Sequence, residues 1–410
     1  MNILEGKHII LGVCGSIAAY KAAELARNLT LEGAVVDVIL TEAAERFVGT
    51  ATFQALTGRS VLTDMWALPE DGVVGHVSLG VSADAIVIAP ATANTLARLA
   101  AGICDDLLTT TVLVTTAPVL CVPAMNPNMY AAAVTQANIA ALCQRGFTLL
   151  EPDEGRMAEP MIGKGRLPAV AVIEGELRAL LGRHTGPLRG HHVVITAGGT
   201  HEAIDPVRYV GNRSSGVMGY ALASVARDYG ADVTLISGPT ALQPLAAVRL
   251  IQVETALEMH DAVHAACTDA AILIMNAAVA DYRPAQVVEQ KIKKSGDTGL
   301  TLQLIPNPDI LGTLAHRQDV FKVGFAAETQ DLLANATAKM ARKGLQMIIA
   351  NDAVASIGQP EIAVTVLDAQ GMVVQLPRQP KQQMAGAVLD MIVQHYCEWY
   401  EGLSGVRCEA

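Results

Sequence analysis

The 410-residue chain contains few aromatic residues, 4% of the total, and few charged residues, 17%. So small a set of aromatic side chains offers no stacking platform for unpaired bases. The formal net charge of −11 also argues against a surface that binds the phosphate backbone of a nucleic acid. The scarcity of aromatic residues and the negative net charge therefore both weigh against nucleic-acid binding.

No stretch has 18 or more uninterrupted apolar residues, and residues 1–7 are too polar for a secretory signal peptide. The seven cysteines are odd in number, and no two of them are spaced C-x-x-C. Cysteines of this kind are typical of free thiols in a reducing compartment. We therefore expect a cytoplasmic protein without a membrane span, without disulfides and without a cysteine metal site.

Two common phosphate-binding fingerprints are missing as well. The glycine-rich stretch after residue 196 contains no G-x-G-x-x-G, and GNRSSG at 211–216 lacks the Lys-Ser/Thr pair of a P-loop. The strands that follow the two glycine loops end at Thr41 and Ser237 rather than at the acidic residue that would hold the ribose of NAD. These absences weigh against a nicotinamide-dependent oxidoreductase, which composition and fold alone would suggest.

What the chain does contain is one arrangement of elements that occurs twice. Apolar, β-branched strands at 8–12 and 193–196 each lead into a glycine-containing turn and then into a helix. The helices are predicted at 18–31 and 217–229, and the next strands at 33–40 and 230–236. Since 410 residues exceed one comfortable core, the two openings predict an α/β fold of two doubly wound, Rossmann-like domains with parallel sheets.

The other predicted elements complete this plan, with domains at 1–182 and 190–405. The segment 181–191 is short, basic and rich in Gly and Pro, so we predict the domain junction there. Further strands are predicted at 85–89, 119–122, 271–275, 323–325 and 347–350, a hairpin at 362–367 and 372–375, and helices at 95–101, 106–113 and 382–399. Residues 401–410 are predicted to be frayed.

Ligands of doubly wound sheets bind beyond the carboxyl ends of the strands. In the first half these ends carry glycines, hydroxyls and amides, which suit a flavin with one phosphate better than a triphosphate. In the second half the loop supplies Arg208, Asn212 and Arg213, and the alternative is a purely structural crossover. His76 stands alone between His8 and His184, so it is a candidate base, although a lone histidine is more often structural.

Several motifs resemble known families. The first half resembles FMN-dependent cysteine decarboxylases in GHVSLG at 75–80, APATAN at 89–94 and PAMNPNMY at 123–130. The second half resembles phosphopantothenate–cysteine ligases in the loop 195–219, AAVADYRP at 277–284, KIKK at 291–294, NPDIL at 307–311 and GFAAET at 324–329. In this order, over about residues 5–400, the chain is similar to the bifunctional bacterial coenzyme A enzymes that join a phosphopantothenoylcysteine decarboxylase to this ligase.

The resemblance implies that the C-terminal domain is a nucleotide-binding ligase. It would couple CTP to 4′-phosphopantothenate as an acyl-cytidylate, from which the amine of cysteine displaces CMP. Lys291 would neutralise the triphosphate, although KIKK taken alone is better explained as a solvated loop. Asn212 would hold the intermediate, and Arg208 would steady the loop. The other implied substrate-binding residues are Ala277, Asp281, Asn307, Pro308, Asp309, Ile310, Phe325, Lys339 and Lys343. Mg²⁺ is expected to accompany the nucleotide, with no ligands assigned.

The same resemblance implies that the N-terminal domain is a flavodoxin-like FMN domain that removes the cysteinyl carboxylate. FMN would oxidise the thiol-bearing carbon, carbon dioxide would leave, and the hydride would then return with a proton. His76 is the candidate base, and Asn126 would hold the substrate carboxylate. The implied FMN-binding residues are Gly15, Ser16, Ile17, Thr41, Thr92 and Asn94.

The chain departs from the family pattern at one position. Bacterial members usually place a cysteine, the final acid, in an Ala-Cys-Gly run, whereas Glu159 stands there in this sequence. Either Glu159 delivers the proton, or the reductive half-reaction is weak and an oxidised ene-thiol is released. The alternative to a bifunctional enzyme is thus a ligase whose FMN-binding half is a scaffold or an oxidative decarboxylase. By resemblance we expect small-molecule substrates, trimeric flavin domains and dimeric ligase domains.

Overall fold

The structure, a computed structural model, describes residues 2–66, 75–156, 161–294, 299–328, 332–352 and 358–404. The chain divides into two compact units, residues 1–184 and 185–410. The division lies inside the segment predicted as the junction, but the first part of that segment is not a loop. The helix Val170–Thr185 continues into it, because Leu180 and Leu181 are buried in the core of the first unit.

The first unit contains a parallel sheet and a separate hairpin. The strands are β1 His8–Val13, β2 Val35–Leu40, β3 Ala85–Ala91, β4 Val119–Pro123 and β5 Thr148–Leu149, followed by the antiparallel pair β6 Asp153–Arg156 and β7 Ile162–Arg166. In space the parallel strands lie in the order β2-β1-β3-β4-β5. The strand order reverses between β1 and β3, and such a switch point opens a crevice where ligands of doubly wound sheets bind.

Helices cover both faces of this sheet. They are α1 Ala19–Leu31, α2 Thr50–Thr57, α3 Gly75–Ser82, α4 Ala93–Ala101, α5 Leu107–Val114, α6 Pro127–Ala131, α7 Ala133–Gln144 and α8 Val170–Thr185. Since neighbouring residues of a strand point to opposite faces, Ile9 packs in one apolar cluster and Ile10 in another. Side-chain caps begin α4 and α5: Thr92 accepts from the Thr95 amide at 3.3 Å, and Asp106 accepts from the Thr109 amide at 2.8 Å.

A cluster of charged side chains joins the first two strands. His8 Nε2 lies 2.7 Å from Asp37 Oδ2, and Arg59 Nε donates to Asp37 Oδ1 at 2.5 Å. The hydrogen bond to Asp37 raises the pKa of His8 above its ordinary value of 6.5. Burial would raise the pKa of Asp37, but the hydrogen bonds from His8 and Arg59 outweigh it and lower that pKa to about 2.

We expect the stability of the first unit to fall as the pH rises above about 6.5. A histidine whose pKa is raised by folding contributes its full stabilisation at pH values below its pKa in the unfolded chain. For His8 this contribution is lost as the pH rises through the higher pKa of the folded state. The thermal midpoint of the full chain should drop by about one or two degrees over this range, and His8→Gln should flatten the drop. Equal slopes in calorimetric scans of both proteins would contradict this.

The second unit is built on an eight-stranded sheet with two small hairpins beside it. The strands are β8 His192–Ala197, β9 His201–Ala203, β10 Tyr209–Gly211, β11 Asp232–Ser237, β12 Arg249–Gln252, β13 Ile272–Met275, β14 Tyr282–Pro284, β15 Leu304–Pro306, β16 Phe321–Glu328, β17 Met347–Asp352, β18 Glu361–Asp368 and β19 Val373–Pro380. The sheet order is β12-β11-β8-β13-β16-β17-β18-β19, and the last two strands are antiparallel. The switch point lies between β8 and β13.

Five helices complete the described part of the second unit. They are α9 Val217–Asp228, α10 Ala256–Ala266, α11 Ile310–Thr313, α12 Leu332–Lys343 and α13 Lys381–Ser404. The prediction of fraying from residue 401 is wrong for 401–404, which are helical. Tyr396 and Trp399 pack edge-on against Phe321 and hold the preceding turns of α13 on the sheet. No helix in the described ranges is long and apolar enough to cross a lipid bilayer.

Two further regions differ from the sequence prediction. The loop after β8, predicted to be irregular, contains the antiparallel pair β9 and β10, over which the rings of His201 and Tyr209 stack with centroids 3.7 Å apart. The C-terminal hairpin is longer than predicted, and β19 forms the edge of the sheet. Its pairing with β18 shifts register between Ile362 and Val364, opposite the part of β19 that contains Pro377.

Candidate functional site

The carboxyl ends of β1, β2 and β3 bring together loops rich in small and polar residues. The Cys14 amide donates to the carbonyl of Pro90 at 3.2 Å, which joins the loop after β1 to β3. A Cβ at Gly15 would lie 2.5 Å from Cβ of Ala43, so this approach of two loops requires glycine. The hydroxyl of Thr41 is buried and has no hydrogen-bond partner among the described residues. These loops form a polar crevice at the switch point.

Thr92 and Asn94 lie at the start of α4, beside this crevice. The Thr92 hydroxyl is 3.1 Å from that of Thr95, which in turn donates to Sγ of Cys14 at 3.2 Å. Asn94 is exposed in the first turn of the helix. The helix start and the loop after β1 are thus fixed to each other by hydrogen bonds.

A cavity of about 500 Å³, the N-terminal cavity, lies between the loop after β1, the loop after β4 and the hairpin β6–β7. Its lining residues are Ser16, Ile17, Ala18, Tyr20, Lys21, Ala124, Met125, Asn126, Arg156, Gly165, Arg166 and Leu167. The sequence analysis identified three of them, Ser16, Ile17 and Asn126. Gly15, Thr41, Thr92 and Asn94 do not line this cavity.

Asn126 is held at one wall of the N-terminal cavity. It caps α6, with its Oδ1 accepting from the Asn128 amide at 2.9 Å. The Met125 amide donates to the carbonyl of Gly165 at 3.1 Å, and a Cβ at Gly165 would lie 2.1 Å from the Met125 carbonyl oxygen. The hairpin therefore lies directly on the loop that carries Asn126. Glu159, which stands between β6 and β7 in the sequence, lies outside the described residues.

His76 lies in the first turn of α3 and does not line the N-terminal cavity. Its Nδ1 is buried without a hydrogen-bond partner among the described residues. The helix packs closely on α5, since a Cβ at Gly80 would lie 2.9 Å from the Thr111 carbonyl oxygen. Buried polar atoms in folded proteins are nearly always paired. Within the described part of the chain, Nδ1 of His76 therefore makes no hydrogen bond that would explain its burial.

The second unit has a cavity of about 590 Å³, the C-terminal cavity, beyond the carboxyl ends of β13, β16 and β17. Of the substrate-binding residues predicted in this half, Arg208 and Lys291 do not line it. The others do, namely Asn212, Ala277, Asp281, Asn307, Pro308, Asp309, Ile310, Phe325, Lys339 and Lys343. The sequence analysis missed Asn276, Arg342 and Asn351 as lining residues. The motifs are far apart in sequence and meet only because parallel strands end at the same edge of the sheet.

Two asparagines fix the loop after β13 against this cavity. Nδ2 of Asn212 donates to the Val279 carbonyl at 3.0 Å, and Nδ2 of Asn307 donates to the Ala280 carbonyl at 2.8 Å. The Asn307 amide also donates to the carbonyl of Asp281 at 2.8 Å. The loop of small residues is thereby held in one conformation, with its side of the cavity free of bulky side chains.

The glycines after β8 allow the loops at the switch point to pack closely. A Cβ at Gly199 would lie 2.7 Å from the Asn212 carbonyl oxygen, and one at Gly219 would lie 2.6 Å from Cβ of Ala197. Gly216 precedes α9 with φ of +75°, a conformation that favours glycine. The glycine-rich sequence therefore brings Asn212 and the start of α9 onto the end of β8.

Three cationic side chains project from one face of α12 into the C-terminal cavity, namely Lys339, Arg342 and Lys343. Their spacing of three and four residues places them on adjacent turns of one helix face. Lys343 Nζ lies 2.8 Å from Oδ1 of Asp309, and Lys339 Nζ donates to the Phe325 carbonyl at 2.8 Å. Burial would raise the pKa of Asp309, but its hydrogen bond from Lys343 outweighs this and lowers that pKa.

Arg208 and Lys291 lie together outside the C-terminal cavity, around a buried carboxylate. Asp205 accepts from Arg208 Nε at 3.0 Å, and also from its Nη2. It accepts from the Ile292 amide at 3.1 Å, while Arg208 Nη2 donates to the Ile292 carbonyl at 2.9 Å. These hydrogen bonds, those from Arg208 first, hold the pKa of Asp205 below its ordinary range. Lys291 is exposed, directly beside this anchored position.

In the described ranges, no group of three or more His, Cys, Asp or Glu side chains is placed to hold a metal ion. The ligands of the expected Mg²⁺ therefore stay unassigned.

Two family models match the chain. The Flavoprotein family matches residues 2–181, and the DNA/pantothenate metabolism flavoprotein C-terminal domain matches residues 188–396. The two matches together extend over both units.

Curated relatives match over nearly the whole length. The chain is 46% identical over 401 residues to the coenzyme A biosynthesis bifunctional protein CoaBC of Vibrio cholerae, covering 96% of this chain and 99% of the relative. It is 43% identical to the protein of that name from Bacillus subtilis, covering 95% and 97%. Among solved structures, the C-terminal domain of coenzyme A biosynthesis bifunctional protein CoaBC is 40% identical, with a TM-score of 0.45, covering 51% of this chain and 97% of that one.

Proposed function

The chain belongs to the family of bifunctional coenzyme A biosynthesis proteins, and we propose that its two activities are divided between its two units. It is a phosphopantothenate–cysteine ligase that uses CTP and a phosphopantothenoylcysteine decarboxylase that uses FMN. Residues 1–182 would carry the decarboxylase and residues 190–405 the ligase. One observation supports this division above all: four of the five ligase motifs, far apart in sequence, line a single cavity within the second unit.

In the ligase reaction the carboxylate of 4′-phosphopantothenate attacks the α-phosphorus of CTP, and pyrophosphate leaves. The amine of cysteine then attacks the acyl carbon, and CMP leaves as the amide forms. Lys339, Arg342 and Lys343 would neutralise the triphosphate, because their charges converge on the C-terminal cavity. Asn212 would hold the acyl-cytidylate beside the loop after β13. Lys291 would add a further charge, and Arg208 would position the loop that carries it.

The remaining residues of the predicted set would form the walls of the ligase site. Ala277 and Asp281 belong to the loop that the two asparagines fix, and Asn307, Pro308 and Ile310 begin the opposite wall. The nucleotide would be bound with Mg²⁺, which neutralises phosphate charge in sites of this kind.

The residues of the first unit fit FMN. The buried hydroxyl of Thr41, which has no partner among the described residues, lies at the end of β2, in a polar crevice whose loops approach closely at Gly15. The holding residues would be Gly15, Ser16, Ile17, Thr41, Thr92 and Asn94. When bound, FMN supplies the oxidation of the thiol-bearing carbon that allows carbon dioxide to leave.

Three residues would handle the substrate and its protons. Nδ2 of Asn126 would donate to the cysteinyl carboxylate, and His76 would act as the base. Glu159 would return the final proton in place of the family's cysteine. If it does not, the product is the oxidised ene-thiol, and the presence of glutamate at this position is the observation that keeps that alternative open.

We further propose trimeric flavin domains and dimeric ligase domains in the cytoplasm, as the family resemblance implies. Subunit association would let His76, which does not line the cavity of its own chain, act at the site of a neighbouring copy. Its unpaired Nδ1 supports a partner from outside the described chain.

Purified full-length protein should be yellow and should convert phosphopantothenate, cysteine, CTP and Mg²⁺ to 4′-phosphopantetheine. Mass analysis should show amide formation with CMP and pyrophosphate, followed by loss of carbon dioxide. A product lighter by two hydrogens would favour the oxidative alternative. A colourless protein that cannot be reconstituted with FMN would contradict the flavin assignment.

A further inference from the structure

The N-terminal cavity carries three positive side chains that the proposed chemistry does not use. Lys21, Arg156 and Arg166 line it, and no aspartate or glutamate of the described chain does. Neither arginine forms an ion pair with a described carboxylate, in contrast to Lys164 on the same hairpin, which pairs with Glu151 at 2.5 Å. The positive charge of this wall is therefore uncompensated within the described residues.

The hairpin brings its two arginines together. Arg166 belongs to β7, but its guanidinium lies over the neighbouring strand: a Cβ at Gly155 would be 2.7 Å from Nη1 of Arg166. Gly155 directly precedes Arg156 on β6. Because residue 155 has no side chain, the Arg166 guanidinium can lie over β6 at the residue next to Arg156.

Lys21 approaches the same place from α1. Its Nζ donates to the carbonyl of Leu167 at 3.1 Å, one residue beyond Arg166. The ammonium group is therefore fixed at the end of β7 rather than extended into solvent. Three like charges, from helix α1 and from the hairpin, line one cavity, and a cavity lined by one sign of charge attracts a ligand of the opposite charge.

The chemistry of the three groups favours a phosphate monoester. Arginine presents a planar fork of donors that matches phosphate oxygens, and lysine adds a point charge. Two phosphates are available in the proposed reaction: that of FMN and the 4′-phosphate of the substrate. Thr41 and Thr92, proposed for FMN, lie outside this cavity, whereas Ser16 and Ile17, also proposed for FMN, line it together with Asn126, proposed for the substrate. The two arginines belong to the hairpin that lies on the Asn126 loop, which favours the phosphate of the substrate.

We propose that Lys21, Arg156 and Arg166 bind the 4′-phosphate of phosphopantothenoylcysteine and make the decarboxylase selective for the phosphorylated substrate. The proposal rests on the decarboxylase assignment above. It assigns to the two strands of the hairpin the recognition of the end of the substrate that is distant from the reacting carbon.

The test compares decarboxylation of phosphopantothenoylcysteine and of its dephosphorylated form by the full-length flavoprotein. For the phosphorylated substrate, Arg166→Gln and Arg156→Gln should each raise KM by about 10- to 100-fold with little change in kcat. The dephosphorylated substrate should be converted as by the wild type. Arg166→Lys, which keeps the charge without the fork, should give an intermediate KM, and Lys164→Gln should leave the preference intact.

Bound flavin per chain is measured in each variant, because it separates the two phosphate sources. Loss of flavin together with loss of activity on both substrates would show that the arginines hold the FMN phosphate, and would overturn the proposal. An unchanged preference in a variant that still binds FMN would overturn it too. If the wild type decarboxylates neither substrate, the assigned function fails instead. Calorimetry with 4′-phosphopantetheine and pantetheine then still tests the arginines, since only the phosphorylated compound should bind more weakly to Arg166→Gln.

Discussion

Replacing Lys343 with Gln should lower the rate of ligation by about a hundred- to a thousandfold and leave decarboxylation of supplied phosphopantothenoylcysteine unchanged. Its Nζ lies at the C-terminal cavity beside Asp309, 2.8 Å from Oδ1. The change removes a positive charge from a phosphoryl centre and also leaves the Asp309 carboxylate unpaired beside the triphosphate. CMP release and carbon dioxide release, measured separately on one preparation, check the two halves of the expectation.

Two further variants sharpen this test. Lys343→Gln combined with Asp309→Asn should recover part of the ligation rate, because the uncompensated negative charge is then removed as well. Lys293→Gln changes an exposed lysine that does not line the cavity, and it should ligate normally. Loss of both activities in a folded Lys343→Gln protein would contradict the division of the activities between two sites.

Asp205→Asn should reduce ligation by about 10- to 100-fold although Asp205 does not line the cavity. The carboxylate binds Arg208 and the Ile292 amide at once, and so anchors the loop at the residue next to Lys291. Asparagine keeps the size of the side chain but loses the charge that pairs with Arg208. We therefore expect the Lys291 ammonium to lose its position rather than its charge.

A double-mutant cycle distinguishes this positioning role from a general loss of stability. If Asp205 acts through Lys291, Asp205→Asn should add little to the loss already caused by Lys291→Gln. Additive losses would mean that Asp205 acts independently of Lys291. Asp319→Asn is a matched control, because Asp319 also pairs with an arginine, Arg317, but at an exposed position outside the cavity. Its ligation rate should equal that of the wild type.

The central strands of both sheets could be predicted because their pattern is local. Strand β8, predicted at 193–196, is His192–Ala197, and β3, predicted at 85–89, is Ala85–Ala91. A run of apolar, β-branched residues that is buried on both faces carries its own signal, independent of what lies beside it in space. The glycine loops could be predicted as well, because each comes directly after such a strand in the sequence.

The pieces that sequence analysis missed depend on contacts distant in the chain. The strands of the hairpin β6–β7, DEGR and IGKGR, are rich in charge and glycine and do not resemble strands. Gly165 of this hairpin lies against the carbonyl of Met125, a contact between residues distant in the chain. Helix α3, which carries His76, is short and contains glycines within GHVSLG, so no helical period predicts it.

The site residues show the same limit. Motif resemblance identified the loops that line the C-terminal cavity, but it did not reveal that Lys291 lies outside it in the described chain. Arg342 could have been identified, since it follows Lys339 by three residues on the same helix face. Lys21, Arg156 and Arg166 could not, because only tertiary packing brings them to one cavity.

The position of β19 at the edge of the eight-stranded sheet bears on self-association. Its last residues are LPRQP, and the two prolines supply no amide to a further strand. Arg378, between them, adds a charge that pairs with Glu361 on the neighbouring strand at 3.2 Å. Together with the register shift, these residues interrupt the regular ladder that a further β-strand needs as a template. At this edge the sheet is therefore protected against edge-to-edge pairing with the strand of another molecule.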